Sequence, residues 1–127
     1  MLDHPSVEIL GHRTDVSELM KKSDLFILSS IEEGSALVTY EARAAGCVLV
    51  VSEGAGAVCQ HMKDAMVHRM RDVVALIEHI KLLDQDRSLL ESMRKESLAS
   101  CRHLGWGHAG GILAQIYSDV VGKSAET

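Results

Sequence analysis

The chain has 127 residues, enough for one domain, and 46% of them are apolar, enough for a hydrophobic core. Its 13 Lys and Arg against 18 Asp and Glu give a net charge of −5. That charge excludes a general nucleic-acid-binding protein, which needs a basic surface. Apolar runs such as Val48 to Val51 are far shorter than the roughly 20 residues of a membrane-spanning helix, so no integral membrane segment is expected.

Short apolar runs alternate with helical patterns over the first half of the chain. We predict strands at Val7 to Leu10, Leu25 to Leu28 (buried on both faces), Cys47 to Val51 and Ala65 to His68. Helices are expected after Thr14-Asp15, over Ala36 to Ala45 with Ser35 as N-cap, and around Ala57 to His61. The rest, after Arg71, has helical spacing throughout. The pattern predicts an α/β fold: an incomplete Rossmann-like parallel sheet of about four strands flanked by helices, with an all-helical C-terminal part.

Cysteine and histidine patterns give no sign of a metal site. Cys47, Cys59 and Cys101 are odd in number and far apart, which is typical of reduced thiols in a cytoplasmic protein. Cys101, His103 and His108 lie close in sequence, but their spacing matches no standard set of metal ligands. We therefore expect no metal and no cofactor.

Two small polar loops follow adjacent predicted strands. Ser29 to Ser35 precedes the second helix, and Ser52 to Gly56 follows the next strand. Ligands of parallel α/β sheets bind at the carboxyl ends of the strands, and free amides at a helix N-terminus favour phosphate. Such loops are also typical of ordinary turns between a strand and a helix, so both interpretations stay open at this point.

Two acidic residues in and after the first loop favour a particular kind of ligand. Glu33 lies in the loop and Glu41 in the second turn of the helix, and carboxylates at these places can accept hydrogen bonds from sugar hydroxyls. Glu41 alone is also compatible with a solvated helix residue. The pair, with the small residues between them, favours a sugar-nucleotide site.

The segment from Ser29 to Ala42 resembles the signature of family 4 glycosyltransferases, which have the GT-B fold. Seven residues separate Glu33 from Glu41, as in that signature. The resemblance extends from about Val7 to Val121 and includes the Glu53 to Gly56 loop and the closing segment around Trp106.

The resemblance implies a single domain, residues 1–127, equivalent to the C-terminal, donor-binding half of such an enzyme without its N-terminal acceptor domain. It implies a retaining transfer of sugar from a nucleoside diphosphate sugar, the donor substrate, to an acceptor. Glu33 would lie near the reacting centre, and Glu41 would bind the ribose. Gly34 and the amides of Ser35, Ala36 and Leu37 would hold the diphosphate or sugar.

The chain also departs from the family. Ser35 replaces an aromatic residue and Ala36 a glycine, and the donor-binding Arg and Lys of the family have no counterpart here. We therefore expect that this chain alone is not catalytically competent. An incomplete sheet exposes strand edges, so we also expect self-association.

One other function also fits these residues. A degenerate transferase-like domain could serve as a non-catalytic interaction or assembly module. Gly105 and Gly107 are predicted to break the last two helices apart, and Trp106 between them is expected to pack as an anchor of the helix junction rather than to stack on a base.

Overall fold

A computed structural model describes residues 4–101 and 103–124 of the chain. Three strands form the sheet, namely β1 (Leu25–Leu28), β2 (Val48–Ser52) and β3 (Ala65–His68). The helices are α1 (Val16–Lys21), α2 (Leu37–Ala44), α3 (Val73–Gln85), α4 (Arg87–Cys101) and α5 (Trp106–Ser124). The strands are all parallel and lie in the order β1-β2-β3. The predicted α/β class with a helical C-terminal part is confirmed.

The central strand β2 organises the core because every one of its residues is buried. Leu49 and Val51 pack with Met20 of α1 and with Ala42 of α2 on one face of the sheet. The alternate residues of β2 point to the other face, where they pack against α3 and α4. Helices therefore cover both faces of this strand, as its unbroken apolar sequence predicts.

The prediction of about four strands is too high by one. Val7 to Leu10 forms no strand, and Ile9 is 78% exposed. A strand needs a partner for its backbone hydrogen bonds, and this segment pairs with neither β1 nor β3, the two edges of the sheet in the described residues. The expectation that β1 is buried on both faces is also wrong, because Ile27 is exposed at the sheet edge. Self-association through sheet edges stays a prediction.

The loop after β2 also differs from its prediction. The short helix expected around Ala57 to His61 is absent, and a single 3₁₀ turn, Glu53–Ala55, follows the strand directly. Gly56 ends this turn with a φ of 60°, a left-handed conformation that favours glycine. The chain then continues without regular structure to β3. In the part of the chain that the structure describes, no helix is both long and apolar enough to cross a bilayer.

A buried guanidinium joins α2 to its neighbours. Arg43 is only 2% exposed, and its Nη2 donates to the Asp64 carboxylate at 2.6 Å. Its Nε donates to the Ser97 hydroxyl of α4 at 3.2 Å. Further hydrogen bonds reach the carbonyl of Val58 and the hydroxyl of Ser100. Because its donors find partners on three segments, this charge can be buried without being left unpaired.

Replacing Arg43 by methionine should strongly destabilise the fold. The Arg43→Met variant leaves the Asp64 carboxylate buried without its cation, a loss that typically costs about 3–5 kcal/mol. Urea unfolding followed by circular dichroism measures the change. The matched control is Arg87→Met, which removes an exposed pair with Asp24 and should leave the unfolding midpoint nearly unchanged. Equal midpoints for the two variants would contradict the role given to Arg43.

Three imidazoles cluster beside β3. The ring of His79 on α3 lies 5.3 Å from that of His61 and 6.0 Å from that of His68, measured between centroids. The Nδ1 atoms of His68 and His79 are buried and have no hydrogen-bond partner among the described residues. Burial lowers the pKa of both side chains, and the neighbouring imidazoles lower that of His79 further. The charges of Asp72 and Glu78 oppose this effect only in part. The folded chain therefore favours the neutral forms of His68 and His79.

This cluster should make the fold sensitive to acid. A folded-state pKa below the ordinary 6.5 means that the unfolded chain binds protons more readily, so stability is lost as the pH falls below that value. We expect the urea midpoint to fall between about pH 7.5 and about pH 5.5. His79→Asn should reduce this slope, whereas His12→Asn, at an exposed site, should not. Identical slopes in wild type and His79→Asn would show that the cluster does not control acid stability.

Candidate functional site

The two loops predicted to form the site pack directly against each other. They follow β1 and β2, which are adjacent and parallel, so both loops lie at the same edge of the sheet. The hydroxyl of Ser52 donates to the carbonyl oxygen of Ser30. A Cβ at Gly56 would lie 2.6 Å from the carbonyl oxygen of Glu33 and 2.8 Å from that of Gly34, too close for any side chain. Glycine at this position lets the second loop support the first.

The first turn of α2 lacks a side-chain cap. The N-cap is Ala36, whose side chain cannot accept a hydrogen bond, and the first turn contains no acidic residue. The prediction that Ser35 caps the helix is therefore wrong: its Oγ lies instead 3.5 Å from the hydroxyl of Tyr40. The carbonyl of Ala36 accepts from both the amide and the hydroxyl of Thr39, which fixes the start of the helix. No acidic side chain of the first turn neutralises the positive end of the helix dipole.

A cavity of about 470 Å³ opens beside this helix end. Its first wall comes from α2 and the residues before it and contains Ser35, Leu37, Tyr40 and Glu41. Such a volume falls within the range of roughly 300–1,000 Å³ that small-molecule sites occupy. Glu41 and Ser35 provide hydrogen-bonding groups, and Leu37 provides apolar surface. The structure therefore brings three of the predicted site residues, Ser35, Leu37 and Glu41, onto one cavity.

The other predicted site residues lie outside that lining. Glu33 is exposed in the preceding loop, where its Oε2 accepts a hydrogen bond of 2.9 Å from the hydroxyl of Ser30. Gly34 is exposed beside it, and an added Cβ there would meet no atom within 4 Å. Ala36 is 3% exposed, so little of it is open to a ligand. The roles assigned to these three residues stay predictions.

The second wall of the cavity comes from the junction of α4 and α5, which the sequence did not assign to the site. It contains His103, Leu104, Trp106, His108, Ala109 and Ile112. The expectation that Trp106 is a packed anchor is wrong, because its residue is 84% exposed. The predicted break at Gly105 and Gly107 was a signal that the chain turns here, but not that the turn faces α2.

The charged groups around the cavity limit its chemistry. In the described ranges, no Lys or Arg side chain belongs to its lining. A second cavity of about 460 Å³ shares His103 and Leu104 with the first and includes Lys63 and the already engaged Arg43. Across residues 4–101 and 103–124, no cluster of His, Cys, Asp and Glu side chains is arranged to hold a metal ion. The first cavity thus offers hydroxyl, carboxylate, imidazole and apolar groups.

Comparison with known proteins places these features in a family. The family described as "Glycosyl transferases group 1" matches residues 2–86. An N,N'-diacetylbacillosaminyl-diphospho-undecaprenol alpha-1,3-N-acetylgalactosaminyltransferase of Campylobacter jejuni is 33% identical over 98 residues, 76% of this chain and 26% of the relative. A UDP-Gal:alpha-D-GlcNAc-diphosphoundecaprenol alpha-1,3-galactosyltransferase of Escherichia coli is 30% identical over 83 residues, 64% of this chain and 21% of the relative.

The chain spans about a quarter of the length of the curated relatives that it matches. The family match includes the strands β1 to β3, both loops and the helices α1 to α3, and it ends one residue after α3. It therefore contains the whole first wall of the cavity but not the second. With two thirds of its sequence matched, and with the parallel sheet and loop arrangement described above, the chain belongs to the group 1 glycosyltransferases.

Proposed function

We propose that this chain is the C-terminal, donor-binding domain of a retaining glycosyltransferase. In this role it binds a nucleoside diphosphate sugar, whose sugar is moved to an acceptor held by another domain. The observation that carries the proposal is the meeting of Ser35, Leu37 and Glu41 on one cavity at the uncapped end of α2. Membership of the family makes an activated sugar the ligand class that fits this arrangement.

Each part of the site has a chemical task in this proposal. The amides of Ser35, Ala36 and Leu37, with Gly34, hold the diphosphate at the positive end of α2. The carboxylate of Glu41 accepts hydrogen bonds from the ribose hydroxyls. Glu33, in the loop in front of the helix, lies near the reacting sugar. Negative charge develops on the departing diphosphate, so fixed amide donors stabilise the transition state more than the ground state.

The names of the relatives suggest the substrates. Both are alpha-1,3-transferases, one of galactosyl and one of N-acetylgalactosaminyl groups, and both names give a sugar on diphospho-undecaprenol as acceptor. One of the names also gives UDP-Gal as the donor. We therefore infer a uridine diphosphate sugar as the donor for this chain and a sugar on a polyprenyl diphosphate as the acceptor. A cytoplasmic location fits its three free cysteines, Cys47, Cys59 and Cys101.

Removing the Glu41 carboxylate should weaken nucleotide binding. Glu41→Ala is expected to raise the Kd for uridine diphosphate about tenfold or more, the usual effect of losing hydrogen bonds to a charged group. Isothermal titration calorimetry measures the constant. The control is Glu78→Ala, which removes an exposed carboxylate of α3 outside the cavity. An unchanged Kd in Glu41→Ala would overturn the ribose assignment.

The chain by itself should not transfer or hydrolyse a donor. No cation lines the described cavity, so the developing charge of the diphosphate lacks the Arg and Lys contacts that such a leaving group needs. Purified protein incubated with UDP-galactose or UDP-N-acetylgalactosamine should release no uridine diphosphate above a protein-free control. Release that is lost in Glu33→Gln would show that this chain is catalytically competent.

A second candidate function is a non-catalytic interaction module. The exposed apolar side chains of α5 favour it, among them Ile112, Leu113, Ile116 and Tyr117. A module of this kind does not need to bind a nucleotide. Failure of uridine, guanosine and adenosine diphosphates to bind saturably would favour it over the donor-binding domain.

A further inference from the structure

Trp106 is the most exposed large apolar residue of the described chain, at 84%. It is the first residue of α5, and it lines the same cavity as Glu41. Exposing an indole to water is unfavourable, because its large apolar surface is stabilised by burial. Its position on a cavity wall points to a ligand as the group that covers it.

Backbone hydrogen bonds and a contact between two imidazoles surround the turn that carries Trp106. The amides of His103 and Leu104 donate to the carbonyls of Ser100 and Cys101, at 3.1 and 3.0 Å. The imidazoles of His103 and His108 also meet edge to face, with centroids 5.6 Å apart. These contacts hold His103, Leu104 and His108 close to the indole in the described residues.

The glycines that flank the indole leave its surroundings open. Neither Gly105 nor Gly107 would bring an added Cβ within 4 Å of another atom. Three other aromatic rings belong to the lining, those of Tyr40, His103 and His108. Tyr40 is half-buried with its hydroxyl 3.5 Å from the Ser35 Oγ, and the two imidazoles contact each other. Trp106 therefore offers the largest aromatic surface open to stacking in this cavity.

The chemistry of a nucleotide connects the two walls. A ribose held by Glu41 on α2 carries its base on the adjacent carbon, so the base stays within the same cavity. Flat bases gain affinity by stacking on an indole, and this contact does not depend on base identity. The remaining surface around the indole, from Leu37 and Ile112, is apolar and suits the same flat ring.

We propose that Trp106 is the stacking platform for the base of the bound nucleoside diphosphate. The proposal rests on the proposed function, since it needs a nucleotide in the cavity. It adds a contact from a segment beyond residue 86, where the family match ends. The base is then held by the α4–α5 junction and the ribose by α2, so the nucleotide joins the two walls.

Fluorescence tests the proposal directly, because Trp106 is the single tryptophan of the chain. Uridine diphosphate should change the indole emission saturably, with the same Kd that calorimetry gives. Inorganic diphosphate, which has no base, should leave the emission nearly unchanged. By calorimetry, Trp106→Ala should raise the Kd for uridine diphosphate about tenfold and leave that for inorganic diphosphate unaltered.

Two further variants separate stacking from a general effect on α5. Trp106→Phe keeps an aromatic face and should stay within about threefold of the wild-type Kd, well short of the effect of losing the stack. Tyr117→Ala removes an exposed aromatic residue of the same helix outside the cavity and should have no effect. A Kd that is equal in wild type and Trp106→Ala, with nucleotide still bound, would overturn the stacking role alone. Absence of nucleotide binding to the wild-type chain would overturn both this inference and the proposed function.

Discussion

The position of the candidate site depends on the buried guanidinium of Arg43. This side chain lies on the inner face of α2 together with Thr39 and Ala42, and it binds the Asp64 carboxylate and the hydroxyls of α4. A buried cation holds its partners in a narrow geometry, because any displacement leaves charges without compensation. The opposite face of the same helix carries Glu41, which lines the cavity. The network therefore fixes α2 and α4 relative to each other, and with them the two walls of the site.

The sheet supplies the second constraint. Because β1 and β2 are parallel neighbours, the loops that follow them must meet at one edge, and the contact of Gly56 with Glu33 and Gly34 shows how closely they do. The second loop thus packs against one side of the Ser29–Ser35 loop, while residues 31–35 remain exposed to solvent. A helix end with no side-chain cap, placed on such a support, keeps its amides available for an anion.

Local sequence patterns were sufficient to predict much of the fold. The strands β2 and β3 and the long helices follow from runs of apolar residues whose spacing matches a buried strand or an amphipathic helix. The same reasoning failed at Val7 to Leu10, where the apolar run is suitable for a strand but the described sheet offers no partner. Ser35 has the chemistry of an N-cap, yet the helix begins one residue later. These errors share a cause, since each depends on contacts that the local sequence does not encode.

The sequence likewise predicted one wall of the candidate site and missed the other. The spacing of Glu33 and Glu41 pointed to the loop and to α2, where the structure places Glu41 on a cavity. The wall that contains Trp106 was missed, because it is distant in sequence and its apposition to α2 follows from the packing of α4. Arg43 was also missed, although its spacing from Thr39 and Ala42 places it on the buried stripe of the helix. A charged residue on such a stripe is a signal of a buried network that sequence reasoning can use.

We propose that one cavity between α2 and the α4–α5 junction binds the donor nucleotide. Backbone amide chemical-shift mapping of the labelled chain, titrated with uridine diphosphate, tests it most directly. The largest shifts should fall in two separate segments, residues 34–41 and residues 103–112, and should saturate together. Saturable shifts confined to other parts of the chain, such as α3, would contradict it.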